Sequence, residues 1–73
     1  MRTPKALVID DDERLAEMLS AYLRSRGFEV HHRADGGTGL HAVNAQRFDV
    51  VVLDVMLPDL DGFEVLRRLR GRS

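Results

Sequence analysis

The chain has 73 residues, 11 basic and 12 acidic, no cysteine and a formal net charge of −1. That length allows one small domain, in which only roughly 60 % of the unfolded surface can be buried. The charge balance gives no reason to invoke nucleic acid or membrane, and the missing thiols exclude disulfides and thiolate metal sites.

A globular protein is expected, since 44 % of the residues are apolar and 32 % charged. The start, MRTPKALVIDDD, carries neither the apolar region nor the small-residue cleavage site of a secretion signal. No apolar run approaches the length of a spanning helix. A cytoplasmic protein without membrane contact is expected, and the absence of cysteine suits that compartment.

KALVID, residues 5–10, is short and apolar and reads as a strand buried on both faces. In DDERLAEMLSAYLRSRG that follows, Leu15, Met18, Leu19, Tyr22 and Leu23 recur at helical spacing and predict one core-facing stripe. Asp11 or Asp12 can cap the start of this helix, and Gly27 stands where a left-handed C-terminal cap belongs. FEVHHRA, 28–34, alternates weakly and reads as an outer strand. DGGTGLHAVNAQR, 35–47, is a poor helix with three early glycines and an apolar side of Leu40, Ala42 and Val43. FDVVVLDV, 48–55, is the strongest strand signal. A loop from Leu57-Pro58 to Asp61-Gly62 leads into FEVLRRLRGRS, a helix with a predicted apolar face of Phe63, Leu66 and Leu69. The order β-α-β-α-β-α predicts a parallel sheet with helices on both faces, without repeats or linkers.

In a parallel sheet all C-terminal strand tips share one edge. Asp10 and Asp11 end the first strand and Asp54 ends the third. If those strands are neighbours, their tips lie about 5 Å apart, at the crevice where open α/β sheets bind ligands. A carboxylate ending so apolar a strand is costly unless a cation meets it. Three converging carboxylates form an all-oxygen site suited to magnesium or a similar hard ion, and a metal-screened carboxylate is a usable nucleophile toward phosphorus. Asp12, Asp59 and Asp61, taken singly, read as caps or turn residues.

Other features have plainer readings. Gly36, Gly37 and Gly39 lack the lysine and spacing of a phosphate loop and read as a flexible lead-in to a helix. His31 and His32 point to opposite faces of a strand and, with His41, read as surface residues. Arg67, Arg68, Arg70 and Arg72 favour a helix C-terminus and read as a solvated end.

The stretches LVIDDDERL, LSAYLRSRGFEV, ADGGTGL and FDVVVLDVMLPDLDGFEVLRRLR together closely resemble the receiver domain of two-component response regulators. DVMLPDLDGFEVLRRLR is most similar to the transcription-factor subfamily with winged-helix output domains. The resemblance implies a flavodoxin-like parallel sheet, here truncated to β-α-β-α-β-α with strand order 2-1-3. It implies that Asp54 accepts a phosphoryl group from a phosphohistidine on a sensor histidine kinase. Asp10 and Asp11 match the family's acidic pair. With Asp54 and the backbone carbonyl of Met56 they are the implied magnesium ligands, and Pro58 and Gly62 the loop-shaping residues. A complete receiver has five strands and five helices. Residues 1–73 are therefore expected to be a truncated receiver without strands 4–5, helices 4–5 or an output domain, and hence without DNA contact of their own. An apolar edge at the third strand would favour a homodimer or strand-paired oligomer.

Two other functions compete. A phosphatase of the haloacid dehalogenase type wants a second Asp two residues after the nucleophile, where this chain has Met56. A pure interaction module would dimerise with its acidic pocket idle.

Overall fold

The computed structural model describes residues 2–54, 56–59 and 61–70. Val55, Leu60 and Arg72, which figure in the predicted third strand, loop and basic end, lie outside the described residues. The elements are β1 (Lys5–Ile9), α1 (Glu13–Ser25), β2 (Glu29–Arg33), α2 (Gly36–Ala45), β3 (Val50–Leu53) and α3 (Gly62–Arg70). The sheet is parallel with order β2-β1-β3, which matches the expected flavodoxin-like arrangement.

β1 is central because its sequence is apolar on both sides. Ala6, Leu7, Val8 and Ile9 are all fully buried. Each of the larger three contributes about 1.5–3 kcal/mol by leaving water. Leu7 and Ile9 meet Ala42 of α2 and Val65 of α3 in the main core.

α1 begins at Asp12, whose side chain accepts the Leu15 N–H. It ends in a satisfied left-handed cap. Gly27 has φ +94°, its N–H donates to Arg24 O, and the Phe28 N–H donates to Leu23 O. The face it buries differs from the expected stripe. Leu15, Met18 (67 % exposed) and Tyr22 (62 %) stand outside the core, and Ala16 and Ser20 are buried. Leu19 and Leu23 are half-buried beside them. The seam 16-19-20-23 lies roughly a third of a turn from 15-18-22. Its small residues allow the helix to sit close to the sheet, an option that counting large apolar residues overlooks.

α3 repeats the lesson. The expected face of Phe63, Leu66 and Leu69 is replaced by Gly62, Val65 and half-buried Leu69, spaced i, i+3, i+7. Phe63 and Leu66 are exposed. Glu64 pairs on the solvent side with Arg67 and Arg68.

α2 forms despite its glycines because one of them is required for packing. A Cβ at Gly39 would lie 2.6 Å from Ile9 Cδ1 and 2.9 Å from Ile9 Cγ1. The helix therefore rests directly on β1.

At the N-terminal edge of the sheet Asp49, just before β3, accepts the Lys5 N–H at 2.8 Å and the Arg2 guanidinium at 2.9 Å. The Lys5 N–H, followed by the Arg2 side chain, holds the Asp49 carboxyl below its usual range.

Candidate acidic site

Ile9 and Leu53 are register partners, so the next residues along both strands emerge side by side at the C-terminal edge. The ladder runs one step further. The Asp54 N–H donates to Ile9 O at 2.9 Å, and the Asp10 N–H donates to Arg33 O at 3.0 Å. Backbone pairing thus places both aspartates before their side chains interact.

One carboxylate oxygen from each of Asp10, Asp11 and Asp54 can be chosen so that all three lie within 4.8 Å of one another. Asp10 is buried at 6 % exposure, Asp54 is half-buried and Asp11 is open to solvent. Asp10 Oδ1 accepts the Asp12 N–H at 2.9 Å, and Asp54 Oδ1 accepts the Met56 N–H at 3.0 Å. These i to i+2 bonds are Asx turns, which fold each loop back over its own carboxylate. Among the described residues no lysine, arginine or histidine forms an ion pair with any of the three. Like charges at such spacing repel by about 1 kcal/mol even in a water-like medium, and more where burial lowers the dielectric. The donor set is all oxygen, graded from buried to exposed, and open on one side. Such a set fits a hard divalent cation that keeps some of its water.

The residues expected here are brought together in part. Asp10, Asp11 and Asp54 converge. Met56 follows at the loop start, its N–H tied to Asp54, its side chain in solvent, and its backbone in an isolated antiparallel bridge with Asp61. Pro58 is exposed in the loop, and Gly62 is buried at the first position of α3. Asp12 caps α1 and Asp61 accepts the Phe63 N–H, as turn and cap residues do. Asp59 also caps, but across the fold: Oδ1 and Oδ2 accept the Gly36 and Gly37 N–H groups at 2.8 and 2.9 Å.

The histidines of β2 do point apart, but neither is a plain surface residue. His31 Nε2 lies 2.7 Å from Glu29 Oε2, and its ring meets Phe48 edge-on at 5.5 Å. His32 Nε2 lies 2.8 Å from the Asp10 carbonyl, so it donates to the backbone of the acidic turn. The sequence signal for this was positional: His32 ends one step short of the strand tip that neighbours Asp10.

Comparison with known proteins agrees with this geometry. A family model described as the response regulator receiver domain matches residues 6–73. The transcriptional activator protein PfeR of Pseudomonas aeruginosa is 48 % identical over 68 residues, covering 93 % of this chain and 22 % of PfeR. The response regulator TrrA of Thermotoga maritima, solved in complex with Mg(2+)-BeF, superposes with TM-score 0.92 at 28 % identity, over 96 % of this chain and 61 % of that one. TrrA solved in complex with the histidine kinase ThkA gives TM-score 0.90 at 28 % identity, over 96 % and 60 % of the two chains. The chain therefore spans less than a third of the curated relatives it matches and under two thirds of these solved receivers. With a match that runs from the buried first strand to the last residue, and the same sheet order and helices in the solved relatives, the chain belongs to the response regulator receiver domain family of two-component systems.

Proposed function

We propose that this chain is the phosphoacceptor part of a two-component response regulator, with Asp54 as acceptor and a sensor histidine kinase as donor. The observation that carries this is the convergence of Asp10, Asp11 and Asp54 within 4.8 Å at the C-terminal edge of a parallel sheet. In the step proposed, a carboxylate oxygen of Asp54 attacks phosphorus, an O–P bond forms and the P–N bond of phosphohistidine breaks. The imidazole leaves with a proton from solvent. Asp54 Oδ1 is engaged by the Met56 N–H, which restrains the orientation of the carboxylate.

Asp10, Asp11, Asp54 and the Met56 carbonyl would hold magnesium. When bound, the ion would offset the charge of the carboxylates and the incoming phosphoryl oxygens. The Mg(2+)-BeF and kinase complexes of TrrA support both partners by analogy. Relatives described as transcriptional activators or regulators support a role in transcription control for a longer protein that carries such a domain. The chemistry is group acceptance rather than turnover of an outside substrate.

The test is magnesium-dependent labelling by acetyl phosphate. We expect one acid-stable, hydroxylamine-labile phosphoryl group per chain, abolished in Asp54→Ala. Exposed Val50 on the edge strand β3, and exposed Phe63 and Leu66 on α3, favour a second reading as an interaction module with an idle pocket. A folded chain that binds magnesium but takes no label would favour that reading.

A further inference from the structure

A fourth carboxylate at the same edge ties two loops together. Asp59 lies five residues beyond Asp54, yet its two oxygens accept the N–H groups of Gly36 and Gly37 at the start of α2. That helix already has its own cap in Asp35, which takes the Thr38 N–H at 2.8 Å and the Thr38 hydroxyl at 2.9 Å. The first turn of a helix leaves four N–H groups without helical partners. Asp35 serves one of them, and the 54–61 loop serves two more. The fit is close: a Cβ at Gly37 would stand 3.2 Å from Asp59 Oδ2.

The same loop is pinned elsewhere along its length. Asp54 Oδ1 holds the Met56 N–H, Met56 bridges to Asp61, and Asp61 Oδ1 holds the Phe63 N–H. Those contacts are internal to the loop and the first turn of α3. They set its shape, while the Asp54 N–H on Ile9 O and the packing of Leu57 against the core hold its start. Asp59 anchors that shape to α2, which is itself seated on β1 through Gly39 and Ile9, one residue before Asp10.

We propose that Asp59 is a positioning residue for the acidic pocket: its latch to the Gly36 and Gly37 amides holds the loop beyond Asp54, which carries Met56, in place beside Asp10 and Asp11. The proposal rests on the magnesium reading above. Losing the latch should weaken divalent-ion binding while the three carboxylates stay in place, as loss of an orienting partner does at other metal sites.

The experiment is a titration of the 73-residue chain with magnesium chloride, followed by amide NMR at Asp11, Asp54 and Met56. Hydrogen exchange at Gly36 and Gly37 reports the latch itself. In Asp59→Ala we expect fast exchange at both amides and magnesium binding weaker by about tenfold. Asp59→Asn keeps an acceptor but no charge, so it should recover part of the affinity. Gly37→Ala keeps the charge, favours the helix, and crowds Oδ2. It should weaken binding by a smaller factor in a fully folded chain. Unchanged affinity in Asp59→Ala with the amides released would overturn the latch. Equal losses in Asp59→Ala and Asp59→Asn, with Gly37→Ala unaffected, would also overturn it, since charge alone would then explain the effect. A wild-type chain that folds without any saturable response would overturn the magnesium reading itself.

Discussion

The two ends of one small sheet treat their carboxylates in opposite ways. At the N-terminal edge Asp49 meets the Lys5 N–H and the Arg2 guanidinium, and its charge is satisfied within the chain. At the C-terminal edge Asp10, Asp11 and Asp54 meet one another, with backbone N–H groups holding two of them and no cation among the described residues. The first arrangement fastens the chain start to the foot of β3. The second stores repulsion that an outside cation can relieve. An internally paired carboxylate has nothing left to offer a ligand. An unpaired cluster costs stability until its ligand arrives, the usual trade at a functional site.

The largest change is expected where both edges depend on the same strand. Gly39→Ala would press a methyl into Ile9, a fully buried residue with no open side to move into. Overpacking of this kind costs about 1–3 kcal/mol, against at most about 1 kcal/mol returned by better helix propensity. Urea unfolding should show the net loss, and the pocket should loosen with it. An unchanged midpoint would mean that α2 does not rest on β1 as closely as described.

Asp11→Asn would sharpen the contrast between the edges. Removing one of three crowded charges should raise stability without divalent ions by about 1 kcal/mol. The same substitution should abolish the stabilisation by magnesium that the proposed site predicts for the wild type. Melting curves with and without magnesium read both effects, and the two should have opposite signs. A fall in both conditions would show that Asp11 supports the fold, contrary to an idle charge held for a ligand.

How much of this was legible in the sequence follows from which signals are local. The strands and the edge shared by the three aspartates could be read, because apolar runs fix strands and parallel topology puts their tips on one side; the order 2-1-3 came from the resemblance to receiver domains. Gly27 and Asp12 could be read as caps for the same reason: each acts within its own few residues. The buried faces of α1 and α3 could not. Helical spacing finds a stripe of large residues, but Ala16, Ser20 and Gly62 win the contact because small side chains allow closer approach. The partners of Asp59, which does cap a helix, and of His32 could not be read for another reason. These partners, Gly36, Gly37 and the Asp10 carbonyl, are backbone groups far along the chain, and backbone groups carry no sequence signature.

The smallest predicted effects lie at the paired edge, where solvent shares the work. Asp49→Ala removes the bonds to Lys5 N and Arg2 and should lower the melting temperature at neutral pH by a few degrees at most. The pH dependence is more telling than the size. The folded state holds Asp49 below its usual value of 3.8, chiefly through the Lys5 N–H and then Arg2. Its contribution is therefore complete above that value and fades as pH falls through the lower, folded-state value. Glu29, held below 4.5 chiefly by its hydrogen bond to His31, has the same sign. Melting temperatures of wild type and Asp49→Ala should thus differ at pH 6 and converge under strongly acid conditions. A gap that persists undiminished in acid would mean that Asp49 acts through packing rather than charge, and the contrast between the two edges would lose its electrostatic basis.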